Sequence, residues 1–233
     1  MTQFDYEIKV RYAIVSMSFL LKGLSLFLLG FGVFVLVQVA MPFLAFKAWE
    51  VTAYDADQIL VDPLSKEDKG QVLGVSIEDV NNFPSIVSTN VREAPYQSFK
   101  LEVPSINLPE TEVRVNSNVF DVFLGHLPGT ALPGEKGNVF VTGHSSLTGL
   151  LPKGKQFAYF ANLPKIKKGD QIKITALGQR FIYEVVGLKI VDPKDIGVIN
   201  PPDGTGRYVS LMTCVPPGFN AKRLVVLAKL ANT

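Results

Sequence analysis

"YVSLMTCVPPGFNAKRLVVLAK", residues 208 to 229, is the stretch on which the fold turns. Two runs of strand-forming residues, Tyr208 to Cys214 and Arg223 to Lys229, flank "VPPGFNAK", whose Pro, Gly and Asn are turn formers. As adjacent antiparallel strands they would bring Cys214 and Arg223 side by side at one end of a sheet. Cys214 is the only cysteine in the chain, so it is either a small buried hydrophobe or a thiol kept for its reactivity.

The same alternation of short apolar runs and turn signals extends upstream as far as Phe99. "FKLEVPSI" at 99 to 106 and "RFIYEVVGLKI" at 180 to 190 show period-two patterning rich in β-branched and aromatic residues, which predicts strands. Val113 to Val115, Val119 to Leu124, Asn138 to Thr142 and Gln171 to Ala176 are further candidates, punctuated by "LPGEKGN", "KKGD" and "PPDGTG". About eight strands at such spacings predict a mainly β domain, a closed barrel or a sandwich. One short helix is expected around Gln156 to Asn162.

The N-terminal region follows different rules. Gly23 to Phe46, "GLSLFLLGFGVFVLVQVAMPFLAF", carries no charge, and as a helix it would be roughly 36 Å long, enough to cross a hydrocarbon layer of about 30 Å. Lys9, Arg11 and Lys22 precede it, whereas Glu50, Asp55 and Asp57 follow with Lys47 as their basic neighbour. The positive-inside bias therefore keeps the N-terminus cytoplasmic and sends the remainder outward. A cleaved signal would have a shorter apolar region ending in a small-x-small site, and "LAFKAWE" is a poor one. The expected organisation is a cytoplasmic or interfacial segment 1–22, a transmembrane anchor 23–46, an extracellular linker 47–97 and an outer domain 98–233. The linker mixes charges with Pro63, Pro84 and Pro95 and shows no sustained period beyond a helical turn expected around Ser65 to Lys69.

Composition narrows the function classes. The net charge of +2, with no acidic or basic tail, gives no reason to expect a nucleic-acid partner. Secreted domains pair their cysteines, and one cysteine closes no intrachain disulfide. The two histidines, His126 in "LGHLPGTALPG" and His144 in "GNVFVTGHSS", are the bases that a thiol nucleophile could use. His144 stands where an apolar strand hands over to a polar loop.

Those segments carry a resemblance. "LMTCVPPGFNAKRLVV" resembles the sortase signature, in which a strand ends in Thr-Cys and an arginine opens the next strand. "GNVFVTGHSSL" resembles the family's histidine segment, "GTALPGEKGN" the stretch leading into it, and "FKLEVPSINL" its first barrel strand. "LPKIKKGDQIKITALGQRFIYEVVGLKIVDPKDIGVI" is similar to its middle portion, so the resemblance spans about 99 to 230. It implies an eight-stranded sortase-like β-barrel with short helices, preceded by the N-terminal transmembrane helix. By the same resemblance Cys214 is the nucleophile, His144 the general acid/base and Arg223 the stabiliser of the oxyanion and of the bound peptide. Thr213, His126 and Ser145 are the candidate substrate-binding residues.

The implied partners are a surface-protein substrate with an LPxTG-like C-terminal signal, an amine acceptor (a cell-wall precursor or a pilin lysine) and the lipid bilayer. No cofactor or metal is implied. "VPPGFN" resembles the loop of pilus-type sortases, class C- or D-like, whereas Leu211 and Met212 stand where smaller or polar residues are usual. Asp62, Pro63 and Leu64 resemble the lid tripeptide of that class, although on the residues alone they read as a turn, as do Asp192 and Asp195. A thiol peptidase or amidase that releases its product to water fits the same three residues. A tethered, non-enzymatic β domain that uses Cys214 for packing or an intermolecular disulfide is the third reading.

Overall fold

The computed structural model describes residues 3–52, 76–80, 83–87, 93–119, 122–145, 158–195, 197–217 and 221–231. The chain divides into two compact units, 1–52 and 53–233.

The first unit is one continuous helix, α1 (Gln3–Thr52), about 75 Å long at 1.5 Å per residue. Within it Leu21–Ala45 is apolar apart from Lys22, Ser25 and Gln38, and none of that window is buried inside protein. Leu26, Phe27, Leu29, Phe31 and Leu36 are all more than half exposed. A helix greasy on every face with no protein against it has the length and composition to cross a membrane. The helix also settles residues 3–22, which continue α1.

The second unit holds ten strands among its described residues: β1 (Ser76–Val80), β2 (Phe83–Val87), β3 (Ser98–Val103), β4 (Leu108–Arg114), β5 (Leu124–His126), β6 (Gly137–Thr142), β7 (Gln171–Ala176), β8 (Gln179–Val191), β9 (Arg207–Val215) and β10 (Lys222–Leu230). β3 to β10 close into a barrel in the order β10-β8-β7-β3-β4-β5-β6-β9, which leaves no open sheet edge. β4–β5 and β6–β9 are parallel pairs, and the other pairs are antiparallel.

Seven of the eight predicted barrel strands fall on observed ones. The exception is Val119 to Leu124, where the strand begins only at Leu124. β5 runs parallel to β4, and parallel neighbours need a crossover rather than a tight hairpin. The residues after Arg114 therefore form the connection, leaving Val119 and Val122 exposed. Val113 to Val115 is in turn the end of a longer strand that begins at Leu108. The region read as a linker contains the β1–β2 hairpin, whose five paired positions flank residues 81 and 82. Asn81-Asn82 is a two-residue turn signal between runs too short to show a period. In place of the helix expected around Gln156 to Asn162, residues 159–162 form a turn leading into a 3-10 segment, Leu163–Lys165. Gln156 lies outside the described residues, as do Ser65 to Lys69 and Asp62 to Leu64.

Pairing register fixes the two faces of the wall. Val209, Leu211 and Thr213 of β9 pair with Ala228, Val226 and Leu224 of β10, and Val209 and Leu211 with Val139 and Val141 of β6. Directly paired residues project from the same face, so these line the interior, with Leu101, Ile174, Tyr183 and Val185 opposite and fully or almost fully buried. Each buried aliphatic side chain here stabilises the fold by about 1.5–3 kcal/mol. β7 alternates buried and half-buried positions, the mark of a strand with a solvated outer face. β9, in contrast, is buried on both faces from Tyr208 to Val215, which is why "YVSLMTCV" reads as an unbroken apolar run. Something covers its outer face, and the candidate site lies under that cover.

Candidate active site

Cys214 and Arg223 are directly paired across β9 and β10. They are therefore on one face of the sheet, the outer one, together with Met212 and Val225. β6 approaches β9 from the other side in parallel register, with Asn138 beside Tyr208, Phe140 beside Ser210 and Thr142 beside Met212. The pairing continues one residue further, since Gly143 N–H donates to the Met212 carbonyl at 3.2 Å. His144 is next, so the same alternation sets it on the outer face alongside Cys214. β6 and the β9–β10 pair, from distant parts of the chain, thus bring the segment that carries His144 beside the paired Cys214 and Arg223.

Two contacts hold that end of β6. The Thr213 hydroxyl donates to the Gly143 carbonyl at 2.8 Å, and the His144 carbonyl accepts from Phe160 N–H at 3.1 Å. Gly143 is required for the fit. A Cβ there would stand 2.5 Å from Leu124 Cδ2 and 2.9 Å from Phe160 Cδ2, which no real contact tolerates.

The environment of the thiol is apolar. Cys214 is 4% exposed and clusters with Leu127, Phe140, Val191, Ile199, Met212 and Val225. Burial pushes its pKa up, because the thiolate loses solvation, and the positive charge of Arg223 pulls the other way. Arg223 is itself 1% exposed, with Nη1 donating to the Lys222 carbonyl at 3.1 Å. A permanent cation held this deep beside a thiol is a strong local field for any negative charge that develops on the sulfur or on a carbonyl it attacks. Among the described residues no group of His, Cys, Asp and Glu is arranged to hold a metal ion.

The remaining candidates lie elsewhere. Thr213 alternates with Cys214 and points into the barrel, where it clamps Gly143 rather than lining the outer face. His126 pairs with Val141 on the interior side and is fully buried. Its Nε2 is 2.9 Å from the Ala131 carbonyl and 2.9 Å from Thr130 Oγ1, while Nδ1 accepts from Asn116 N–H at 3.4 Å. These contacts suit a neutral ring, and burial lowers its pKa. The structure therefore places His126 on the interior side of the wall and not on the cysteine face, because the two-residue period of β5 turns it inward. Ser145 is buried one residue beyond His144.

Sequence reasoning missed Gly143, Asn138 and the apolar residues around the thiol. A polar Asn138 inside the run "GNVFVTG" was the available signal, since a buried amide must be hydrogen-bonded.

The sortase domain family model matches residues 101–231, from within β3 to the end of β10. Sortase D of Bacillus subtilis is 29% identical over 134 residues, covering 55% of this chain and 61% of that protein. Two solved structures share the fold. Sortase C-1 from Actinomyces oris has a TM-score of 0.52 at 28% identity, covering 60% of this chain and 76% of that one. A lid mutant of sortase A from Corynebacterium diphtheriae has a TM-score of 0.51 at 29% identity, covering 61% and 74%. The chain spans less than two thirds of the length of the curated relatives it matches. The match takes in all eight barrel strands and the Cys214, His144 and Arg223 segments together, and on that ground the chain belongs to the sortase family.

Proposed function

We propose that this chain is a membrane-anchored cysteine transpeptidase that cleaves an LPxTG-like sorting signal through a thioacyl-enzyme and passes the acyl group to an amine. One observation carries the reading: Cys214 and Arg223 are directly paired across β9 and β10, and β6, which leads into His144, runs in parallel register beside β9. The Cys214 thiolate attacks the scissile carbonyl carbon, and the electron pair of the C=O bond moves to oxygen. The Arg223 guanidinium stabilises that oxyanion, an effect of about 2.7–4 kcal/mol for a well-placed donor. His144 donates a proton to the departing amine, leaving a thioester on Cys214. An incoming amine then attacks the thioester carbonyl and gives up its proton to His144; the C–S bond breaks and Cys214 leaves as the thiolate, which restores the starting state.

In this reading Thr213 and His126 act from the barrel interior, Thr213 by holding the strand that carries His144. Segment 1–22 is cytoplasmic, 23–46 spans the bilayer, 47–97 links, and 98–233 acts outside on a surface protein. A cell-wall precursor or a pilin lysine is the acceptor.

The test incubates the full chain in detergent with a panel of LPxTG-like peptides, with and without an amine acceptor, beside Cys214→Ala. Mass spectrometry should find acceptor-joined peptide with the unaltered protein alone. Free acid as sole product in the presence of acceptor would make the protein a peptidase instead. Absence of any thioacyl adduct on Cys214 would end the enzymatic reading.

A further inference from the structure

The outer face of β9 is covered because one turn folds back over it. That turn, Gly197–Ile199, brings Ile199 into the apolar cluster around Cys214, with Val198 packed against it. The question is what holds the turn in place. Its far side gives little support, since Ile199, Asn200 and Pro201 border a cavity of about 370 Å3 whose remaining lining includes Pro128 to Leu132 and Glu135 to Asn138. Within the turn itself Asn200 N–H donates to the Gly197 carbonyl at 3.2 Å, a bond that shapes the turn without fastening it to the barrel.

The fastening comes from Asn138. This residue sits on the outer face near the start of β6, 3% exposed. Its Nδ2 donates to the Ile199 carbonyl at 3.0 Å, and its Oδ1 accepts from the Ser210 hydroxyl at 3.0 Å. Ser210 is two residues before Met212 on the same face of β9. One buried amide thus ties the covering turn to both parallel strands that carry His144 and Cys214. The main chain of Asn138 holds the opposite wall, its carbonyl accepting from Ala131 N–H at 3.1 Å. Removing the side chain would leave the Ile199 carbonyl and the Ser210 hydroxyl without these partners in a desolvated place.

We infer that Asn138 is a positioning residue: its side-chain amide holds the Gly197–Ile199 turn against the apolar cluster around Cys214, and so governs peptide capture rather than bond making. The inference rests on the transpeptidase reading for its substrate. Asn138 stands beside Tyr208, six residues along β9 from Cys214, so the chemical step is left intact.

The experiment compares the full chain with Asn138→Ala and Ser210→Ala. Ser210→Ala removes one amide contact and keeps the bond to Ile199, so it serves as the milder variant if Asn138→Ala folds poorly. Three quantities are read. For Asn138→Ala, KM for the sorting peptide should rise about tenfold with kcat within threefold of the unaltered protein, the split expected when ground-state and transition-state binding fall together. Hydrogen exchange at Gly197 to Asn200 should accelerate while β7 and β8 keep their protection, and iodoacetamide should alkylate Cys214 severalfold faster. Ser210→Ala should move each quantity in the same direction by a smaller factor. A fall in kcat at unchanged KM would overturn the inference, as would exchange and alkylation equal to those of the unaltered protein. Should no peptide acylate even the unaltered protein, the transpeptidase reading fails. The exchange and alkylation arms then decide by themselves whether Asn138 holds the turn.

Discussion

At the scale of single residues, the behaviour of Cys214 is a contest between desolvation and one charge. Burial raises its pKa and Arg223 opposes the rise, so the thiolate fraction at neutral pH is small and grows as the pH climbs past the ordinary thiol value of about 8.5. Iodoacetamide alkylation of Cys214 should therefore speed up from pH 7 to 10 with its midpoint above that value. Replacing Arg223 by Gln removes the opposing charge and should move the midpoint higher still, and a downward move would refute the assignment. Gly143 gives a second residue-level expectation. The Cβ of Gly143→Ala would meet Leu124 and Phe160 at distances that force one of them aside, and overpacking of this kind costs about 1–3 kcal/mol. Urea unfolding should register that loss. Peptide turnover should drop at least tenfold, because the displaced strand end is the one that carries His144.

Among the elements, β5 and its following loop contain a pH-dependent joint. His126 has its pKa lowered by burial, so the fold prefers the neutral ring. Its contribution is present above the unfolded value of about 6.5 and is lost as the pH falls below that value towards the lower folded one. Glu135 acts in the opposite sense, and Phe99 packs edge-on at 6.0 Å. The thermal midpoint should fall between pH 7 and pH 5, and His126→Gln should flatten that slope whatever its midpoint at pH 7. Equal slopes in the two proteins would show that His126 carries no such linkage. The same element shows where sequence legibility stops. β7, β8, β9 and β10 were readable because their strand-forming residues run between Gly and Pro turns. β5 was misplaced because parallel pairing to β4 is a property of the assembled sheet. His126 sits in a Gly- and Pro-rich stretch that shows no strand pattern, yet a three-residue strand turns it inward.

For the whole molecule, the candidate site was legible as a set of residues but not as a shape. Cys214 and Arg223 could be paired from sequence, since they flank one turn. His144 joined them through family resemblance, and the geometric reason, β6 lying parallel to β9, depends on long-range pairing. The cover over the thiol was invisible for the same cause, because Leu127 and Ile199 come from loops that only the closed barrel brings together. The N-terminal unit was legible through composition, since a charge-free stretch of that length needs no partner to declare itself. Leu21–Ala45 is exposed on all sides, so the protein should remain in the membrane pellet after extraction at alkaline pH. Removal of residues 1–46 should release it to the supernatant, and release of the full chain would contradict the anchor.

The order in which the strands meet has a consequence for a protein made from one end to the other. His144 leaves the ribosome well before Cys214, and Arg223 comes later still, on the strand that seals β8 to β9. Until that strand docks, the thiol lacks the cation paired with it. Completion of the barrel wall and delivery of the guanidinium to the thiol are thus one and the same event.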